Sequence, residues 1–224
     1  MKAKPMARMQ LGILISGRGS NMKALIDACA KADYPADIAL VLSNVASAEG
    51  LETARHAGIK TMIIDHKAYP SRAEFERDLD QALRDHGVEL VCLAGFMRLL
   101  DKDFVKRWHD RMINIHPSLL PSYRGLKTHE RVLEDGVRFT GCTVHYVRPQ
   151  MDEGPIIMQA VVPIDDHDTP QKLARRVLAY EHKIYVESVR LIASGHIRPR
   201  GNKTATKGLK FPKKGLISPT PDDA

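Results

Sequence analysis

The sequence predicts an α/β fold: a single domain on a mostly parallel, twisted sheet, with helices on both faces and a mixed C-terminal edge. Three observations predict it. Short apolar runs alternate with longer segments whose apolar residues recur at helical spacing, the pattern of repeated strand–helix–strand units. The 224 residues are enough for one domain with a full core and too few for two comfortable ones. From Thr140 two strand-like runs follow one another with no helix between them, which adds an antiparallel or mixed edge.

In chain order, Met9 to Ser16 is the first strand. Its apolar run, Leu11 to Ile15, is too short for a signal-peptide core or a membrane span and reads as a buried strand. A helix over Asn21 to Lys31, a strand over Asp37 to Ser43 and a helix over Ala48 to Ala57 follow. Thr61 to Ile64 is the next strand, and Arg72 to His86 the next helix, with Ser71 and Glu74 as a capping box. Leu90 to Ala94 and Met112 to His116 complete the parallel part. Thr140 to Val147 and Ile156 to Ile164 form the mixed edge, joined by Arg148 to Pro155. A last helix starts at Thr169 as cap, with Pro170 in its first position, and runs to about Ser194 with Leu173, Val177, Ile184 and Leu191 on one face. The expected division is a basic extension over 1–10, the domain over 11–200 and a mobile basic tail over 201–224, where Lys, Gly, Thr and Pro dominate.

The composition, 43% hydrophobic and 27% charged, excludes disorder for the bulk of the chain and a membrane class. The net charge of +7 sits mainly at the ends: Leu11 to Arg200 holds 26 basic against 25 acidic residues. A globally basic nucleic-acid surface is therefore not indicated, and no membrane partner is expected. Cys29, Cys92 and Cys142 are odd in number and far apart, which fits free thiols and a cytoplasmic location.

Two motifs carry chemistry. The strand ending at Ser16 runs through Gly17-Arg18-Gly19-Ser20-Asn21 directly into a helix, and exposed N–H groups at such a helix start favour a phosphate. Met22 stands where a dinucleotide fingerprint needs its third glycine, so NAD and FAD are disfavoured; a plain strand-to-helix turn fits this motif equally well. The second motif is Asn114-Ile115-His116-Pro117. Strand alternation puts Asn114 and His116 on one face at the strand's carboxyl end, and Pro117 keeps His116 extended. An amide and an imidazole side by side suit nucleophilic addition to a carbonyl: the amide stabilises an oxyanion and the imidazole moves a proton. Asp152, in a shaped Gly/Pro loop, is a candidate carboxylate to orient or charge the imidazole. His109, His129 and His145 lack any metal-ligand spacing, and Asp165, Asp166 and Asp168 favour the positive end of the last helix. Phe96, Met97, Leu99 and Leu100 read as core by default.

The runs ISGRGSNMKALID, LAGFMRLL, INIHPSLLPSYRGLKTHERVLEDG and GCTVHYV to MDEGPIIMQA resemble the phosphoribosylglycinamide formyltransferases, folate-dependent enzymes of purine synthesis, from about Leu11 to Ile197. The resemblance implies a Rossmann-like formyltransferase fold and formyl transfer from 10-formyltetrahydrofolate to glycinamide ribonucleotide, with no metal. It implies Asn114, His116 and Asp152 as the catalytic trio, and Gly19, Ser20, Asn21 and Glu181 as contacts to the ribotide. Arg72, Met97, Arg98, Leu99 and Leu100 fall on the folate site, with Arg148, Pro149, Gln150 and Met151 opposite. Lys127 stands where some members carry a second His, and Glu153 replaces a Gly or Ala. A monomer or homodimer is expected. Methionyl-tRNA formyltransferases and formyltetrahydrofolate hydrolases share the core but normally carry a further domain, for which this chain leaves no room. A nucleic-acid-binding protein using its basic termini is the rival from another class.

Overall fold

A computed structural model describes residues 7–219. Seven strands form the main sheet in the order β3-β2-β1-β4-β5-β6-β7. They are β1 (Met9–Ile15), β2 (Ala36–Ser43), β3 (Thr61–Ile63), β4 (Leu90–Leu93), β5 (Met112–His116), β6 (Phe139–Tyr146) and β7 (Ile156–Pro163). The first five are parallel, and β6 and β7 pair antiparallel beyond β5, so the mixed edge is present. Leu11, Ile13, Leu14 and Ile15 are completely buried, as a central strand covered on both faces requires.

Each face has its own core. On one, Met22, Leu25 and Cys29 of α1 (Ser20–Cys29), Leu51 and Ala54 of α2 (Glu49–His56) and Val132 of α5 (Thr128–Glu134) pack with Leu173, Val177, Tyr185 and Val189 of α6 (Pro170–Ala193). On the other, Phe75, Leu79 and Leu83 of α3 (Arg72–Asp85) pack with Phe104 and Val105 of α4 (Lys102–Arg107), and Trp108 closes that layer. The expected caps form: Ser71 Oγ accepts from the Glu74 amide and Thr169 Oγ1 from that of Lys172.

Several expectations are corrected. Helices α4 and α5 occupy stretches to which no element is assigned from the sequence; each is under two turns, too short to show a period. The first strand starts at Met9 as expected, which leaves only 1–8 of the expected extension ahead of the sheet, and Arg8 is tied to the carbonyls of Tyr34, Cys29 and Lys31 and to Asp37. Positions 1–6 and 220–224 of the expected extension and tail lie outside the described residues. Strand β9 (Lys203–Thr206) pairs antiparallel with β8 (Ile197–Arg200), so the first part of the expected tail is a hairpin. Asp168 and Asp166 are engaged by Arg176 and Arg138 rather than left to the α6 terminus.

Candidate active site

The strand order reverses at β1, whose carboxyl end lies between those of β2 and β4; ligands of such sheets bind in the crevice outside such a switch point. The residues singled out from the sequence gather there and at the neighbouring end of β5.

The glycine loop leaves β1 at Ser16 and enters α1 through Gly19, which adopts the left-handed conformation (φ 68°) that glycine tolerates. No side chain caps α1, so the first amides of the helix keep their donors for an incoming anion. Asn21 Nδ2 donates to Glu181 Oε2 at 2.7 Å, joining the loop to α6. Burial raises the Glu181 pKa, against the opposing pull of that Asn21 bond. Asn21 Oδ1 is buried without a partner. Gly19, Ser20, Asn21 and Glu181 therefore stand together.

At the end of β5, His116 is 5% exposed. Its Nε2 donates to the Tyr123 carbonyl at 2.9 Å, and Nδ1 lies 3.5 Å from Asp152 Oδ2. Both neighbours are acceptors. Asp152 sits at φ 51°, in the left-handed region, and its Oδ2 also accepts from the Gly125 amide at 2.7 Å. Arg124 pairs with Glu153 on the outside of the same clasp, so the 123–125 and 152–153 segments hold one another across the site. Gly154, at φ 130°, sits where an added Cβ would lie 2.0 Å from the Tyr146 carbonyl oxygen, which lets the loop close this tightly.

His145, considered in the sequence only as a metal ligand and set aside, stands beside Asn114. Antiparallel pairing sets it opposite Asn114, with Asn114 Nδ2 at 3.4 Å from its Nε2. Its Nδ1 faces the Tyr146 carbonyl at 3.1 Å, which fixes the hydrogen on Nδ1 and leaves Nε2 to accept. Burial lowers the His145 pKa and favours this neutral form. The orientation of the Asn114 amide follows from that tautomer.

The third part is an apolar wall. Met97 and Leu99 are 68% and 62% exposed, contrary to the default reading as core. Large apolar side chains held out beside buried polar groups are what a flat apolar ligand would cover. Ser16 Oγ accepts from the Met97 amide at 2.8 Å and donates to Asn44 Oδ1 at 2.6 Å, which roots the wall at the phosphate loop. Arg72 donates to the Leu99 carbonyl at 2.6 Å. Arg98 and Leu100 are half-buried between them. Pro149, Gln150 and Met151 are exposed. The Arg148 guanidinium is bound to Asp110 at 2.6 Å. Among the described residues, no group of three or more His, Cys, Asp or Glu side chains is placed to hold a metal ion.

Residues 9–189 match the formyl transferase family. The chain is 41% identical to the phosphoribosylglycinamide formyltransferase of Escherichia coli, over 94% of this chain and 99% of that one. It is 49% identical to the trifunctional purine biosynthetic protein adenosine-3 of Gallus gallus over 85% of its length, and spans 19% of that longer protein. The crystal structure of glycinamide ribonucleotide transformylase 1 from Symbiobacterium toebii superposes with a TM-score of 0.88 at 44% identity, covering 92% of this chain and 97% of that one. With the sheet order, the glycine loop and the Asn-x-His-Pro strand end on one crevice, the chain belongs to the formyl transferase family.

Proposed function

We propose that the protein transfers the formyl group of 10-formyltetrahydrofolate to the amine of glycinamide ribonucleotide, giving formylglycinamide ribonucleotide and tetrahydrofolate in purine biosynthesis. The observation that carries this reading is that three parts gather at the carboxyl ends of β1, β4 and β5: the uncapped glycine loop, the group of Asn114, His116 and Asp152, and the apolar wall. A ribose phosphate suits the first, a pterin the last, and the reacting carbonyl the middle.

The amine lone pair attacks the formyl carbon, and the carbonyl electrons move onto oxygen. The Asn114 amide and His116 stabilise that oxyanion, the role in which preorganised donors contribute most. A proton then passes from the attacking nitrogen towards the folate nitrogen, the tetrahedral centre collapses and the bond to that nitrogen breaks. Asp152 is the group placed to move this proton, held beside His116 by the Gly125 amide. Free Cys29, Cys92 and Cys142, all buried, suit a cytoplasmic setting.

The test is a reconstituted assay with both substrates and with water-only and tRNA controls. Tetrahydrofolate should form only when the ribotide is present; equal release of formate into water, or transfer to tRNA, would refute the reading. Asn114→Ala, His116→Ala and Asp152→Ala should each lower kcat by about 100-fold or more, with KM for the ribotide within about twofold. Leu99→Asp should instead raise KM for the formyl donor.

A further inference from the structure

The wall lies in a segment with no regular structure, yet two of its apolar side chains face outward, so its shape depends on what holds its ends. One end is fixed by Ser16, as described above. The other is fixed from α3. Glu76, only 1% exposed, accepts from the Asp101 amide at 2.9 Å through Oε1. Arg72, one turn earlier on α3, places Nε 3.6 Å from the same oxygen while donating to the Leu99 carbonyl. Asp101 in turn caps α4, its carboxylate accepting from the Phe104 amide at 2.6 Å. One buried carboxyl group thus touches both supports of the wall's far end, and nothing in the reaction uses it.

We propose that Glu76 is a positioning residue for the formyl donor, holding the Met97–Leu100 wall in register through the Asp101 amide and through Arg72. This rests on the reading of that wall as the donor site.

Two independent details give the device a direction with pH. Glu76 Oε2 is buried with no hydrogen-bond partner, an expensive state for an ionised carboxylate. Burial first, and then the facing Asp101 carboxyl, raise the Glu76 pKa to about 7. Burial also opposes ionisation of Asp101, but the Phe104 amide and the Glu76 side chain outweigh it and keep Asp101 below its usual range. The charged groups facing Glu76 are Arg72 on its own helix and Asp101 ahead of α4; Asp101 also feels Arg107 of α4. The neutral acid suits this environment: one oxygen accepts from the Asp101 amide, and the other, buried without a partner, then carries no charge that burial would penalise. Once ionised, Glu76 still attracts the Asp101 amide and Arg72, but its buried charge repels the Asp101 carboxylate, and that net strain falls on the far end of the wall.

Glutamine reproduces the neutral acid, with an amide oxygen to accept and no charge. KM values for 10-formyltetrahydrofolate and for the ribotide, and Kd for tetrahydrofolate, should be measured between about pH 6 and about pH 8.5 on the wild type, Glu76→Gln, Glu76→Ala and Leu99→Asp. Glu76→Ala should raise the donor KM about fivefold or more and leave the ribotide KM within about twofold. Glu76→Gln should match the wild type near pH 6 and bind tetrahydrofolate several-fold more tightly than the wild type near pH 8.5. If Glu76→Ala does not fold, the pH profiles of the wild type and Glu76→Gln decide the matter: parallel profiles overturn the proposal. A donor KM unmoved by Glu76→Ala but raised by Leu99→Asp leaves the wall where it is and removes Glu76 from its support. If Leu99→Asp has no effect either, the donor-wall reading has failed, and this inference with it.

Discussion

Asn114 has one amide N–H aimed at a histidine whose own hydrogen is already committed. His145 gives its Nδ1 hydrogen to the Tyr146 carbonyl, so its Nε2 can only accept, and the Asn114 amide is held in one of its two orientations. A preorganised donor depends on such support. His145→Ala should therefore lower kcat by about tenfold or more, corresponding to ~1.4 kcal/mol, with little change in either KM. If His145 acts only through Asn114, the double variant with Asn114→Ala should be no slower than Asn114→Ala alone; additive losses in a double-mutant cycle would show a separate role. Asn114 and His116 were legible in the sequence because strand alternation and Pro117 place them on one face. Asp152 could be named as a candidate carboxylate from its Gly/Pro loop, but its nearness to His116 could not, since proximity cannot be read from 36 residues of separation. His145 was not legible as a site residue: its relation to Asn114 exists only in the antiparallel register of β5 and β6.

At the scale of elements, the glycine loop is shaped from outside as well as by its own glycines. Gly50, in the first turn of α2, donates its amide to the Gly17 carbonyl at 3.1 Å. A Cβ there would lie 2.7 Å from Ile15 Cδ1, and 3.1 and 3.2 Å from the carbonyl oxygens of Gly17 and Arg18. Glycine to alanine in a helix normally stabilises by up to about 1 kcal/mol, so the sign of this substitution is diagnostic. Two of the three contacts are backbone atoms of the loop, which must move, and overpacking of this kind costs about 1–3 kcal/mol. Gly50→Ala should lower the midpoint of urea unfolding and raise the ribotide KM; a more stable protein with unchanged KM would show that the loop does not depend on this contact. The loop itself was visible from its glycines at a strand end, but its partner in α2 was not, because that contact spans about 30 residues of chain. The β8–β9 hairpin was missed for another reason. Gly201 and Asn202 between two short runs are a turn signal, with Gly201 at φ 61°, but the basic, Gly- and Pro-rich composition around them reads as tail.

Across the whole molecule, buried titratable groups pull stability in opposite directions with pH. Burial lowers the pKa of His129, His145 and His182, so below the ordinary histidine value the unfolded chain takes up protons that the folded protein refuses. Their contribution to stability is lost as pH falls through about 6.5. Glu76 has the opposite sign. Its folded pKa of about 7 stands above the ordinary value of 4.5, so the folded protein holds a proton that the unfolded chain releases. The stability this gives is complete below the unfolded value and is lost as pH rises through the folded one. Between these limits the two sets offset each other and flatten the profile of the wild type. Glu76→Gln removes one side of that balance. Its unfolding free energy, from urea titrations near pH 5 and near pH 7.5, should gain up to about 3 kcal/mol more on that rise in pH than the wild type gains. Equal gains in the two proteins would mean that Glu76 titrates like an exposed carboxylate and is ionised in the folded protein throughout that range.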